Sequence, residues 1–167
     1  MRIFFALWPP AETAEALANW SAGVQRETGG KLTAADKIHL TLAFLGEADE
    51  RKATEAAQAV RAPAHALPME QARYWRHNQI VWAGPHETPA ALHDLVERLH
   101  LELYRREFVL ERRPFAAHVT LIRKARAPHS LPLLPALRWP VSEILLVQSR
   151  ISREGSSYAP LARFRLN

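Results

Sequence analysis

The pattern His-x-Thr-Leu occurs twice, in "HLTLAFLG" at residues 39–46 and in "HVTLIR" at residues 118–123. Each copy opens an apolar run, and the two histidines lie 79 residues apart in a chain of 167. Short runs of this alternation read as half-buried strands, on which residues two apart point to one face. His39 and Thr41 then share a face, with Leu40, Leu42 and Phe44 opposite. His118 and Thr120 share a face in the same way, with Val119 and Leu121 opposite. The apolar sets pack beneath helices, and the His-Thr sets stand where a plain core strand would carry Val or Ile. A repeat at about half the chain length predicts two related lobes, although the halves share little outside the motifs.

The flanking segments supply the rest of an α+β plan. "RIFFALW" is a short aromatic-rich run stopped by Pro9-Pro10, which predicts a buried strand. Ala14, Leu17, Ala18 and Val24 recur at helical spacing over residues 11–28, ended by Gly29-Gly30. An alanine-rich helix is expected over 49–61. Strand-like pieces follow at 69–75 and 79–83, with a turn at His77-Asn78. Thr88 as N-cap and Pro89 at the first helical position predict a long helix whose stripe is Leu92, Leu95, Val96, Leu99 and Leu103. A proline-broken stretch at 128–140 precedes two closing strands, 141–149 and about 158–166, separated by "SREGSS". Strands and helices in this order predict one domain, residues 1–167, of antiparallel-rich sheets with outer helices.

The absence of Cys removes thiolate nucleophiles, disulfides and Cys-based zinc sites. The opening apolar run is too short for a signal peptide, and no run approaches the ~20 residues that span a bilayer, so a cytoplasmic protein is expected. Net charge is +5, all of it in residues 84–167, and 18 of the 22 basic residues are Arg. Guanidinium suits bidentate phosphate binding, so an anionic partner such as RNA is one reading and an Arg-rich composition the other.

Two imidazoles and two hydroxyls in one groove make a complete acid–base set. With a reference pKa of ~6.5, one ring can activate a water while the other protonates a leaving alkoxide. The hydroxyls can donate to phosphate oxygens. Arg123 could neutralise charge on a phosphorane-like transition state, but it lies five residues after His118, an odd offset that requires a bulge to face the same way. One such His-Thr pair is ordinarily a surface strand or a histidine bonded to backbone; two copies, each followed by Leu, point to chemistry. His93 and Glu97 on the long helix read as a solvated face rather than metal ligands. Trp75, Trp82 and Trp139 are assigned to packing first and to base stacking second. Arg105, Arg106, Arg112 and Arg113 flank the second motif and could guide an RNA backbone.

These motifs resemble those of the 2H phosphoesterases, and in particular the bacterial RNA 2',3'-cyclic phosphodiesterase branch, also called 2'-5' RNA ligase-like. "RIFFALWPP", "HLTLAFLGE", "RPFAAHVTLIRK" and "LLVQSRISREGSSYAPLARFRL" carry the resemblance across essentially the whole chain. One departure is Ala117, where that family often has Pro before the second histidine. The resemblance implies a bilobal α+β fold with pseudo-two-fold symmetry around a central cleft. It further implies His39 as proton donor, His118 as proton acceptor, and Thr41, Thr120 and Arg123 as phosphate ligands. Neither a metal nor a cofactor is implied, and a monomer is expected. The implied reaction opens RNA or nucleotide 2',3'-cyclic phosphate ends to 2'-phosphates, with reversible 2'-5' RNA ligation as a second activity of the same groups. Two alternatives remain: a phosphodiesterase for another small cyclic phosphate, such as ADP-ribose 1'',2''-cyclic phosphate, and a non-catalytic module that binds RNA ends.

Overall fold

The computed structural model describes residues 1–167. In chain order the elements are β1 (Arg2–Leu7), α1 (Ala11–Thr28), β2 (Lys31–Leu32), β3 (Leu40–Glu47), α2 (Glu50–Gln58), β4 (His65–Met69), β5 (Gln71–Trp75), β6 (Ile80–Gly84), α3 (Ala90–Arg105), β7 (Val119–Arg123), β8 (Leu137–Val141), β9 (Glu143–Ser152) and β10 (Gly155–Arg165). Eight strands form one antiparallel sheet in the order β10-β9-β1-β3-β7-β6-β5, with β2 on β7; β4 and β8 form a separate two-stranded sheet. This is an α+β architecture, as the sequence predicted.

The long sheet is two halves joined at a narrow seam. Leu40 opposite Val119 is the one register pair between β3 and β7. The alternating apolar residues of the motif strands go beneath the helices as expected. Leu40, Val119, Leu121 and Ile122 are all 0% exposed and belong to one core with Leu92, Leu95 and Leu99 of α3 and Leu17 of α1. Their burial removes from water apolar area worth about 25 cal/mol per Å², which is what holds the seam where backbone pairing is sparse.

Several boundaries differ from the sequence reading. Asp49 caps α2 by accepting from the Arg51 amide at 2.9 Å, and the helix stops at Gln58 rather than 61. Helix α3 begins at Ala90 with Pro89 in the cap position and no side-chain cap bond, so Thr88 is not its N-cap. Strand β9 runs to Ser152 and β10 starts at Gly155, leaving a far tighter turn than "SREGSS" implied. The sheet of β4 and β8 was hidden by Pro68 and Pro140, which a two-stranded sheet accommodates because each strand has an unpaired edge. The His77-Asn78 turn lies between β5 and β6 as expected.

Candidate functional site

The seam builds the site. From the Leu40–Val119 pair, one antiparallel step either way sets His39 across from Thr120 and Thr41 across from His118. The two motifs therefore face each other head to tail about a pseudo-two-fold axis through that pair. Each imidazole is tied back in the same way. His39 Nδ1 donates to the Lys37 carbonyl at 2.7 Å and His118 Nδ1 to the Ala116 carbonyl at 2.8 Å. A carbonyl can only accept, so both rings carry their neutral-state proton on Nδ1 and present a bare Nε2.

Arg123 reaches the site by the bulge that its odd offset demanded. Strand β6 pairs Trp82 with Thr120 but Val81 with Ile122, leaving Leu121 as the extra residue of β7. Leu121 and Ile122 both turn into the core, and Arg123 returns to the face of His118 and Thr120. Its guanidinium charge is felt by both imidazoles. Gly30 (φ 90°) lets the end of α1 settle beside this point: a Cβ there would lie 2.4 Å from the Arg123 carbonyl oxygen.

Strand β3 carries the matching bulge. Strand β1 pairs Phe5 with Ala43 but Ala6 with Thr41, so Leu42 is the extra residue, 79 positions before Leu121. Leu42 and Ala43 are both buried, and Phe44 is returned to the cleft, 58% exposed. The sequence reading placed Phe44 on the core face by simple alternation; the bulge reverses that. Each bulged carbonyl is satisfied from outside the ladder, Leu121 by the Thr33 amide at 2.9 Å and Leu42 by His100 Nε2 at 2.8 Å.

The rings around the two histidines were largely absent from the sequence reading. Trp8 stacks on His39 (4.6 Å, 13°), Phe4 lies 5.2 Å away, and Tyr158 meets it edge-on at 5.1 Å. Trp8 is itself anchored by its indole N–H on the Asp36 carbonyl, 2.9 Å. His118 meets Trp75 edge-on at 4.7 Å and Trp82 at 6.2 Å. Burial among these rings pushes the His39 pKa down to about 4; the Lys37 carbonyl opposes that, and the charges of Arg123 and His118 add to it. Burial and then Arg123 lower His118 too, against its Ala116 carbonyl bond.

The cleft beside His118 is a cavity of about 450 Å³ lined by Thr41, Phe44, Trp75, His77 and Phe115 among others, within the range of small-ligand sites. Of the arginines flanking the second motif, Arg105 and Arg106 are both paired with Glu102, at 2.6 and 2.7 Å, and Arg113 with Glu111 at 3.2 Å. Trp139 is buried in the core, away from any stacking role. His93, Asp94 and Glu97 cluster on α3 with exposed side chains, the solvated face that the spacing suggested. No helix is long and apolar enough to cross a membrane.

Residues 7–82 match the family model described as LigT like Phosphoesterase. The chain is 36% identical to the RNA 2',3'-cyclic phosphodiesterase of Escherichia coli (strain K12), over 99% of this chain and 96% of that one. It is 33% identical to the protein of the same name from Thermus thermophilus, over 99% and 90%. Among solved structures, E. coli LigT complexed with 3'-AMP superposes with a TM-score of 0.91 at 34% identity, covering 99% of this chain and 97% of that one. With relatives above 30% identity along nearly its whole length and the same fold, this chain belongs to the LigT-like phosphoesterase family.

Proposed function

We propose that this protein is an RNA 2',3'-cyclic phosphodiesterase that works by two-histidine acid–base catalysis without a metal. The observation that carries the reading is the head-to-tail pairing at Leu40–Val119, which sets two Nδ1-anchored imidazoles and two threonines about one point. The activity is that of the named relatives. A nucleotide or RNA end fits the cavity and the charge, and the protein acts as a monomer.

In this mechanism His118 Nε2 takes a proton from water as the water oxygen attacks phosphorus. His39 Nε2–H donates to the 3'-oxygen as the P–O3' bond breaks. The product is a 2'-phosphate with a free 3'-hydroxyl, and the proton on His118 returns to His39 through solvent. Rings related by a two-fold axis approach phosphorus from opposite sides, the in-line geometry that the displacement needs. Thr41 and Thr120 donate to non-bridging oxygens, and Arg123 offsets the charge that builds on them. The low pKa of His39 leaves its Nε2 bare at neutral pH in the free protein. The cyclic phosphate anion opposes both the desolvation and the Arg123 charge, so proton uptake by His39 accompanies binding. With a 5'-hydroxyl in place of water as the attacking group, the same steps in the same direction join ends through a 2'-5' linkage and free the 3'-hydroxyl, and water at its bulk concentration favours hydrolysis.

The test is phosphorus NMR of a short RNA ending in 2',3'-cyclic phosphate, in excess chelator. Conversion to 2'-phosphate is expected, with a loss of about 10²-fold or more in each of His39→Ala and His118→Ala. Binding without conversion would replace this reading with an RNA-end-binding module. Turnover of ADP-ribose 1'',2''-cyclic phosphate alone would keep the chemistry and change the substrate.

A further inference from the structure

We propose that Phe44 is the nucleobase platform of the cleft, and that it gives a nearly two-fold site a single binding direction. This rests on the cyclic phosphodiesterase reading. The two motif strands are duplicated position by position across the seam: His39 with His118, Thr41 with Thr120, and the bulged Leu42 with Leu121. Three residues beyond each threonine, just past each bulge, the duplication ends. One strand presents Arg123 to the cleft and the other presents Phe44.

A fully two-fold site would accept a five-membered cyclic phosphate in two orientations. These exchange the 2'- and 3'-oxygens between the two imidazoles, and so exchange the products. Arg123 breaks the symmetry only weakly, because its charge reaches both histidines. Phe44 breaks it in the part of the substrate that is itself asymmetric, the base on C1'.

The ring is placed for that work. It is 58% exposed, and the one aromatic ring that meets it is Phe4, at 5.8 Å and 40°. Phe4 also contacts His39, so Phe44 stands one ring beyond the catalytic imidazole on the same face. It shares the 450 Å³ cavity with Thr41 and His118. The other large ring near His118, Trp75, is already engaged by Trp82 at 4.7 Å and by His118 itself. A large apolar ring left open beside a phosphate site offers a flat π surface that every base can stack on. Such a stack is worth roughly 5–150-fold in affinity.

The experiment compares adenosine 2',3'-cyclic phosphate with methyl riboside 2',3'-cyclic phosphate, which has a methoxy group in place of the base. Wild type, Phe44→Ala, Phe44→Leu and Phe44→Trp are assayed for kcat/KM, and the product isomers are read by phosphorus NMR. Wild type prefers the nucleoside substrate and gives one isomer. The nucleoside-to-riboside ratio falls about tenfold or more in Phe44→Ala, and 3'-phosphate appears beside 2'-phosphate. Phe44→Leu keeps the bulk and a wild-type melting temperature but shows the same fall, because it lacks the π face; Phe44→Trp restores the ratio. A ratio unchanged in Phe44→Ala and Phe44→Leu, or an equal fall on both substrates, overturns the assignment. Wild type that turns over neither substrate overturns the phosphodiesterase reading, and this one with it.

Discussion

His100 of α3 donates its Nε2–H to the carbonyl of Leu42, the extra residue of the β3 bulge, at 2.8 Å. A bulged carbonyl has no partner in its ladder, so a side chain 58 residues away completes the strand that carries His39, Thr41 and Phe44. Replacing His100 by Leu leaves that carbonyl orphaned in a part-buried site, at a cost of about 1–3 kcal/mol. A melting temperature lower by roughly 2–10 °C is expected, together with reduced kcat/KM on the cyclic phosphate. His100→Gln, which keeps a donor, recovers most of both. Wild-type stability in His100→Leu would show that the bond contributes nothing.

The pH profile follows from the shielding of both imidazoles. Burial and Arg123 lower both pKa values below the ordinary 6.5, that of His39 to about 4. In kcat/KM, which reports the free enzyme, one imidazole must hold a proton and the other must not, while the cyclic diester stays a monoanion. The optimum therefore lies below pH 6.5, and kcat/KM falls as pH rises from there to 8. A plateau extending to pH 8 would contradict this.

Arg123→Gln removes a charge that both rings feel. If Arg123 offsets transition-state charge as proposed, activity should fall on the order of 10²–10³-fold. The surviving activity should have its optimum at higher pH, because losing a nearby positive charge makes both imidazoles easier to protonate. Loss of rate without that upward displacement would confine Arg123 to binding the phosphate.

Stability should fall with acid in a defined window. The unfolded chain binds a proton at His39 near pH 6.5, whereas the folded ring refuses it until about pH 4. The unfolded state thus holds more protons in that interval, and stability rises with pH across it. The contribution is complete above pH 6.5 and is lost as pH drops towards 4, by roughly 3 kcal/mol at most, with His118 adding in the same sense. Urea unfolding at pH 7 and pH 4.5 measures it. His39→Gln should flatten the difference; an unaltered slope in that variant would assign acid sensitivity to other groups.

The elements of the candidate site were legible in the chain where their signals are local. His39, Thr41, His118 and Thr120 follow from period-two alternation, and α1 falls on residues 11–28 as its spacing predicts. Arg123 was only half legible. Its offset called for a bulge, but nothing in "VTLIR" marks Leu121 as the residue that provides it. The one trace is that Leu121-Ile122 are paired apolar residues before the charged Arg123; Leu42-Ala43-Phe44-Leu45 is an unbroken apolar run and gives no such cue for Phe44. The cage of His39 could not be read at all. Phe4 and Trp8 meet Tyr158 because β9 pairs with β1 across more than a hundred residues of chain and carries β10 with it as a local hairpin. Strands β4 and β8 escaped because their prolines resemble loop punctuation.

The single rung at Leu40–Val119 has a mechanical consequence. Where many backbone hydrogen bonds span two strands, their spacing is set by the peptide group and varies little. At this seam the distance between the two imidazoles is set instead by aliphatic volume in the layer below, through two side chains that water never reaches. Catalytic rates are sensitive to misplacements of the order of 1 Å. The gauge of the proposed site is therefore written in methyl groups, and a core substitution that touches no polar atom would retune it.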